Sequence, residues 1–291
     1  MKPSYKKLLA LLILLFCLFP LGCAVRKAYH DWRQPELNAS LIAAVKKNDT
    51  TAVIAVLSQG ADPNSKDLPS DTRSMWLRSW DCIRGRTRQV GSGTPALCIA
   101  LQRDAPDDAP SNVPLITALL EAGATVNQPD DFGNTPLMWA VRFGQRSVVM
   151  QLLERGANTN QLESSGFTAL HYATQDGDAT FVQLLLDKGA KVDADLDDGR
   201  TPLWWAAVNG EADIVRILLA NGSNVNDSDF EGDSPLLKAI ESGHAGCVKL
   251  LLSKGARVTS INREGHTPLR VARDHHNNHI IKMLKEAGAK E

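Results

Sequence analysis

Apolar and polar positions fall in short blocks along most of the chain, and the blocks have the spacing of amphipathic helices. In Ile214-Val215 followed by Ile217-Leu218-Leu219, apolar residues recur at intervals of three and four and share one helical face. That run stops at Asn221-Gly222-Ser223, and a Gly-Ala or Gly-Ser pair ends each comparable block. Ahead of each block lies a second one opened by Thr-Pro, Thr-Ala or Ser-Pro. A Thr or Ser hydroxyl accepts backbone N–H bonds at a helix start, and a proline directly after it takes the first helical position, where its missing donor costs nothing. The pattern predicts pairs of short helices whose apolar faces only neighbouring pairs can cover.

The openings keep a fixed interval. Thr135, Thr168, Thr201, Ser234 and Thr267 stand 33 positions apart, with Gly133, Gly166, Gly199, Gly232 and Gly265 two residues before them. Ala140, Ala173, Ala206, Ala239 and Ala272 supply small residues where paired helices approach closely. Gly144, Gly177, Gly210 and Gly243 suit the turn between helices, with His276 in that place in the last unit. A constant period of this size marks a stacked repeat array. Gly133-Asn134-Thr135-Pro136-Leu137, Gly199-Arg200-Thr201-Pro202-Leu203 and Gly265-His266-Thr267-Pro268-Leu269 resemble the repeat opening of the ankyrin family, with Gly166-Phe167-Thr168-Ala169-Leu170-His171 as a variant. The resemblance implies an all-α fold, an ankyrin-repeat solenoid of stacked helix pairs joined by short hairpin loops.

On this register five regular repeats, the last a C-terminal cap, are expected over residues 128–291. Residues 39–64 read as an N-terminal capping repeat and 94–127 as an irregular repeat. The irregular unit is stretched by the Pro- and Asp-rich stretch 103–112, and its Ala96-Leu97-Cys98 stands one residue out of step. Between them, residues 65–93 form an insertion that carries Arg73, Arg78, Arg84, Arg86 and Arg88 with Trp76 and Trp80, opposed only by Asp67, Asp71 and Asp81. Arg and Trp are enriched at binding hot spots, and long loops in compact folds are often functional. Two roles stand for it: contact with a partner or membrane surface through Arg73, Trp76, Trp80, Arg84 and Arg86, or a lid over the end of the stack.

The N-terminus has a different pattern. Lys2, Lys6 and Lys7 precede an apolar run from Leu8 to Phe19, the arrangement of an export signal. Residues 1–22 are expected as a signal peptide and 23–38 as a tether with a reach of roughly 20 Å. Phe19-Pro20-Leu21-Gly22-Cys23 resembles a bacterial lipobox, which implies cleavage before Cys23 and lipidation of its thiol; Pro20 departs from that pattern. An uncleaved anchor over Leu8 to Val25 is the alternative. Either places the remainder outside the cytoplasm, in the periplasm, and Ala24 after Cys23 favours the outer membrane by resemblance to enteric lipoproteins. Loss of the three lysines takes the formal net charge from -1 to -4. Such a chain has no basic footprint for nucleic acid.

Five cysteines sort by position. Cys17 belongs to the signal, Cys23 is the lipid acceptor, and Cys247 aligns with the apolar Val148, Phe181 and Ile214. Cys82 and Cys98 are expected to form a disulfide in an oxidising compartment, with two separate thiols as the alternative. No metal, cofactor, catalytic residue or small-molecule substrate is expected. His275 and His279 would share one helical face, next to Asp274, and so define the rival reading as a metal-binding protein or enzyme. An exposed polar cap outweighs it. Asp195, Asp197 and Asp198 read as a solvated hairpin tip, and no phosphate loop or nucleophile elbow occurs.

The resemblance implies that a protein partner meets the hairpin fingertips and the concave first-helix face. By register the contact positions are Phe132, Asn134, Arg142 and Phe143, then Phe167, Gln175 and Asp176, then Asp198, Arg200 and Asn209, then Phe230, Asp233 and Glu241. Large rings at nominally exposed sites suggest an adhesive patch. Trp139, Tyr172, Trp204 and Trp205 are expected to pack between helices, with a partner groove as the alternative. Exported ankyrin proteins resembling this one serve as immunity partners of secreted toxins, including lipases, so a membrane-tethered periplasmic protein-binding scaffold is the leading expectation. Support of a periplasmic oxidative-stress enzyme is the second.

Overall fold

A computed structural model describes residues 33–67, 93–102 and 112–290. The expected signal segment, Cys23, and Arg73, Trp76, Trp80, Cys82, Arg84 and Arg86 of the insertion lie outside the described residues. Fourteen helices and one two-stranded sheet make up the described residues, so the architecture is all-α apart from that small ladder. None of these helices is long and apolar enough to cross a membrane. The described residues divide into two compact units, one holding 33–67, 93–100 and 112–125 and the other 101–102 and 126–290.

In the first unit, helix α1 covers residues 33–47 and α2 covers Thr50–Ser58. Residues 33–38, expected as the end of a tether, are therefore helical: Leu37 is buried, and the Asn38 side chain accepts from the Asp62 N–H at 3.0 Å. Asp49 caps α2 by accepting from Ala52 N–H. Strands β1 (Lys66–Asp67) and β2 (Thr94–Pro95) pair antiparallel, Lys66 with Pro95 and Asp67 with Thr94, which holds the two ends of the insertion together. Thr94 and Pro95 are thus spent on the ladder, and α3 (Ala96–Leu101) starts one residue later than the regular register. Cys98 is buried in α3. Helix α4 (Val113–Glu121) packs on α2, and Asn64 binds across to the Thr125 N–H at 2.7 Å.

The second unit repeats one design five times. Its helix pairs are α5 (Pro136–Arg142) and α6 (Arg146–Glu154), α7 (Ala169–Gln175) and α8 (Ala179–Asp187), α9 (Pro202–Asn209) and α10 (Ala212–Ala220). The last two pairs are α11 (Pro235–Glu241) with α12 (Ala245–Ser253) and α13 (Pro268–Asp274) with α14 (Asn278–Glu286). First helices pack on first helices and, from α8 onward, second helices on second helices. Each of Thr135, Thr168, Thr201, Ser234 and Thr267 accepts from the backbone N–H three residues on, at 3.3 to 3.4 Å, as the sequence predicts. The core is built from Leu137, Leu170, Leu203, Leu236 and Leu269, each at most 3% exposed, with the repeated alanines beside them.

Side chains staple consecutive repeats along the turn that follows each second helix. Asn160 donates to the Gly189 carbonyl at 2.9 Å and accepts from the Lys191 N–H at 2.7 Å. Asn127 and Asn226 make the same pair of bonds in their own repeats. At the equivalent place Asp193 binds the Asn224 N–H and the Ser223 hydroxyl.

Candidate functional site

Five hairpin loops, the fingers, project from the second unit at residues 128–134, 161–167, 194–200, 227–233 and 260–266. In the first, fourth and fifth a carboxylate or amide accepts backbone N–H groups two and four residues on, and in the second the Glu163 carboxylate accepts from the Phe167 N–H four residues on at 3.1 Å. Asp130 binds the N–H groups of Phe132 and Asn134, both at 2.9 Å, Asp229 those of Glu231 and Asp233, and Asn262 those of Glu264 and His266. Successive fingers are tied through the main chain: Ser164 N–H to Phe132 carbonyl at 2.9 Å, Phe230 to Asp198 at 2.9 Å, and Arg263 to Glu231 at 2.8 Å.

The third finger departs from this pattern. Leu196 replaces the turn-closing acceptor and is buried, and no main-chain bond links this finger to the second among the described residues. Its closure rests on main-chain bonds between Leu196 and both Gly199 and Arg200, and on the Asp198 carboxylate, which accepts from the Arg200 N–H and pairs with its guanidinium at 2.7 Å.

The fingers present large apolar side chains to solvent. Phe132 is 69% exposed, Phe230 59%, Ile261 62% and Leu162 51%. Phe132 and Phe230 were anticipated from register; Leu162 and Ile261 were not. Those two share one repeat position, four residues before Gly166 and Gly265, and that shared apolar register was the available signal. The same five fingers hold eleven carboxylates against two arginines, Arg200 and Arg263.

The first-helix face behind the fingers is aromatic and cationic. Trp139 donates its indole N–H to Asp130 at 2.9 Å and stacks on Phe143 at 5.7 Å. The Arg142 guanidinium lies over Trp139 and Tyr172 at 5.5 and 5.6 Å, and that of Arg200 over Trp204 and Trp205 at 5.2 and 5.6 Å. Phe167 is half-buried against His171, Tyr172 and Trp205. Trp204 and Trp205 meet edge to face at 5.2 Å. Each of these rings packs on a neighbouring ring, as do Phe143 and Phe167, which stay half-exposed.

The remaining anticipated positions divide. Gln175, Asp176, Asn209 and Glu241 are exposed. Asn209 donates across to the Gln175 carbonyl at 3.3 Å. Asn134 is turned inward, 8% exposed, and accepts from the Tyr172 hydroxyl at 3.3 Å, so it shapes the finger from within. Asp233 is held by Asn262 at 2.8 Å and lies 3.4 Å from Lys238.

Electrostatics follow burial. Partial burial raises the Asp176 carboxyl above its usual range and, with Glu163, raises Tyr172. Burial pulls Lys238 down, but its bond to Glu241 at 2.6 Å and the charges of Glu241 and Asp233 outweigh it, for a net rise. His171 is fully buried; its Nδ1 meets the Thr168 cap hydroxyl at 3.0 Å while Nε2 has no partner within hydrogen-bond reach, near backbone of Ala194 and Arg200. Desolvation takes it down to about 4.

The histidine pair expected on one helical face is not so placed. Helix α13 ends at Asp274, His275 is its C-cap, His276 turns the chain with φ +52°, and His279 belongs to α14. The inter-helix turn falls between the two rings. No group of three or more metal-ligating side chains is close enough to hold an ion among the described residues.

A family model described as ankyrin repeats (3 copies) matches residues 82–163, 108–195, 147–229 and 223–291. No curated protein matches the chain significantly.

Proposed function

The chain belongs to the ankyrin-repeat family, whose repeats bind other proteins and are generally non-enzymatic scaffolds, and from that premise we propose an exported, membrane-tethered protein that binds one partner outside the cytoplasm. The observation that carries the reading is the row of large apolar side chains on hydrogen-bonded fingers, which costs solvation in the free protein and is the usual mark of an interaction surface. The basic and then apolar N-terminus, with Leu21-Gly22-Cys23 behind it, supports export to the periplasm and a lipid on Cys23 that holds the scaffold at the outer membrane. The task proposed is neutralisation of a secreted toxin such as a lipase, by covering a basic and apolar surface near its active site.

Affinity purification from the periplasm, followed by mass spectrometry, tests the binding role: one stoichiometric partner is expected, and recovery of none from cells that produce the chain contradicts it. Membrane fractionation of Cys23→Ser tests the tether. Release of the variant into the soluble fraction is expected, and unchanged membrane association refutes lipid anchoring.

A further inference from the structure

Four fingers carry an exposed apolar side chain, and the middle one does not. Phe132 and Leu162 stand on the first two fingers, Phe230 and Ile261 on the last two. Between them, the third finger buries its Leu196 and shows solvent Asp195 and Asp197, neither of which has an ion pair among the described residues. Asp198 beside them is engaged by Arg200 at 2.7 Å. The middle finger thus shows acids and no exposed apolar side chain, whereas each flanking finger sets an apolar side chain beside carboxylates of its own, among them Asp131, Glu163, Glu231 and Glu264.

We infer that this edge docks a partner segment in which basic side chains are flanked on both sides by apolar ones. The inference rests on the reading of the chain as a protein-binding scaffold and adds the chemistry of what it binds. The flanking fingers are fixed by side-chain acceptors and main-chain bonds, so little ordering is needed on docking. Apolar contact at the flanks supplies affinity, whereas two unpaired carboxylates at the centre select for charge and reject an acidic centre. Eleven carboxylates on the fingers also repel a phosphate-bearing partner.

The test is a titration of the full chain with a short peptide that has leucines near both ends and a block of lysines at its centre. Saturable binding is expected. Serine in place of the leucines should weaken it about tenfold or more, and glutamate in place of the lysines should abolish it. The double variant Phe132→Ser/Phe230→Ser should weaken it about a hundredfold or more and Asp195→Asn/Asp197→Asn about tenfold, with unchanged thermal melting as the folding control. Equal binding of the serine peptide, equal binding by either double variant, or no binding of the leucine and lysine peptide overturns the inference. A native partner that binds both double variants like the parent chain would also overturn it while leaving the scaffold role intact.

Discussion

The Phe230 N–H donates to the Asp198 carbonyl at 2.9 Å, so the finger that exposes an aromatic ring is fixed to the acidic finger before it. The ring is held out by its backbone while 59% of the residue stays in solvent. Phe230→Ser should therefore leave folding stability within about 0.5 kcal/mol, because the ring is mostly in solvent and gives up only its contact beside Gly199. Partner affinity should fall by about 1.5–3 kcal/mol if the ring is buried on docking. Denaturant melts beside calorimetric titration separate the two effects.

Turn geometry gives opposed predictions at two equivalent positions. Gly210 has φ +78°, and a Cβ there would come within 2.5 Å of the His244 ring, which is itself held by the Val208 carbonyl at 3.0 Å. Gly210→Ala should destabilise by about 1–3 kcal/mol. His276 occupies the same turn in the last repeat at φ +52°, where a side chain is strained. His276→Gly should stabilise by about 0.5–1 kcal/mol, read as a rise in the midpoint of urea unfolding.

Asn160 bridges two repeats through Gly189 and Lys191. Asn160→Ala removes both bonds at a partly solvated site, and water replaces some of what is lost. A loss of about 1 kcal/mol is expected by chemical denaturation. Hydrogen exchange should quicken first at the Lys191 N–H.

The histidine His171 makes a signed pH prediction. Its folded value of about 4 lies below the ordinary 6.5 because desolvation penalises the cation. Between these values the unfolded chain binds the proton and the folded one does not, so stability falls as pH drops from 6.5 toward 4 and is unaffected by this group above that window. The full effect is about 3 kcal/mol at most. Proton NMR should show the ring titrating near 4, and titration above 6 would contradict the burial account.

The regular part of the fold was legible because its determinants are local and recur. Hydroxyl caps, the prolines after them and the turn glycines each impose a conformation on their own few residues, and the 33-residue interval repeats that constraint five times. Where long-range pairing decided, local signals failed: Thr94-Pro95 has the cap sequence but pairs with Lys66 and Asp67 instead. The histidines His275 and His279 have helical spacing, yet a turn intervenes that only the repeat register locates. Among surface positions, register alone told Phe132 and Phe230 as outward. It could not tell that Asn134, next to the motif glycine, turns inward to Tyr172, since that depends on a side chain 38 residues away. Leu162 and Ile261 lie four residues before the motif glycine, outside the motif that marks the fingertips, and only their shared apolar register points to them.

A photo-crosslinking amino acid placed singly at Phe132 and Phe230, and for comparison at the exposed Arg216 and Lys282 of the second helices, tests the finger edge most directly. Irradiation of cells producing the chain should yield the same discrete crosslinked protein from both finger positions and none from the two second-helix positions. No product at the fingers, or equal products from both faces, would contradict the assignment of this edge as the binding surface.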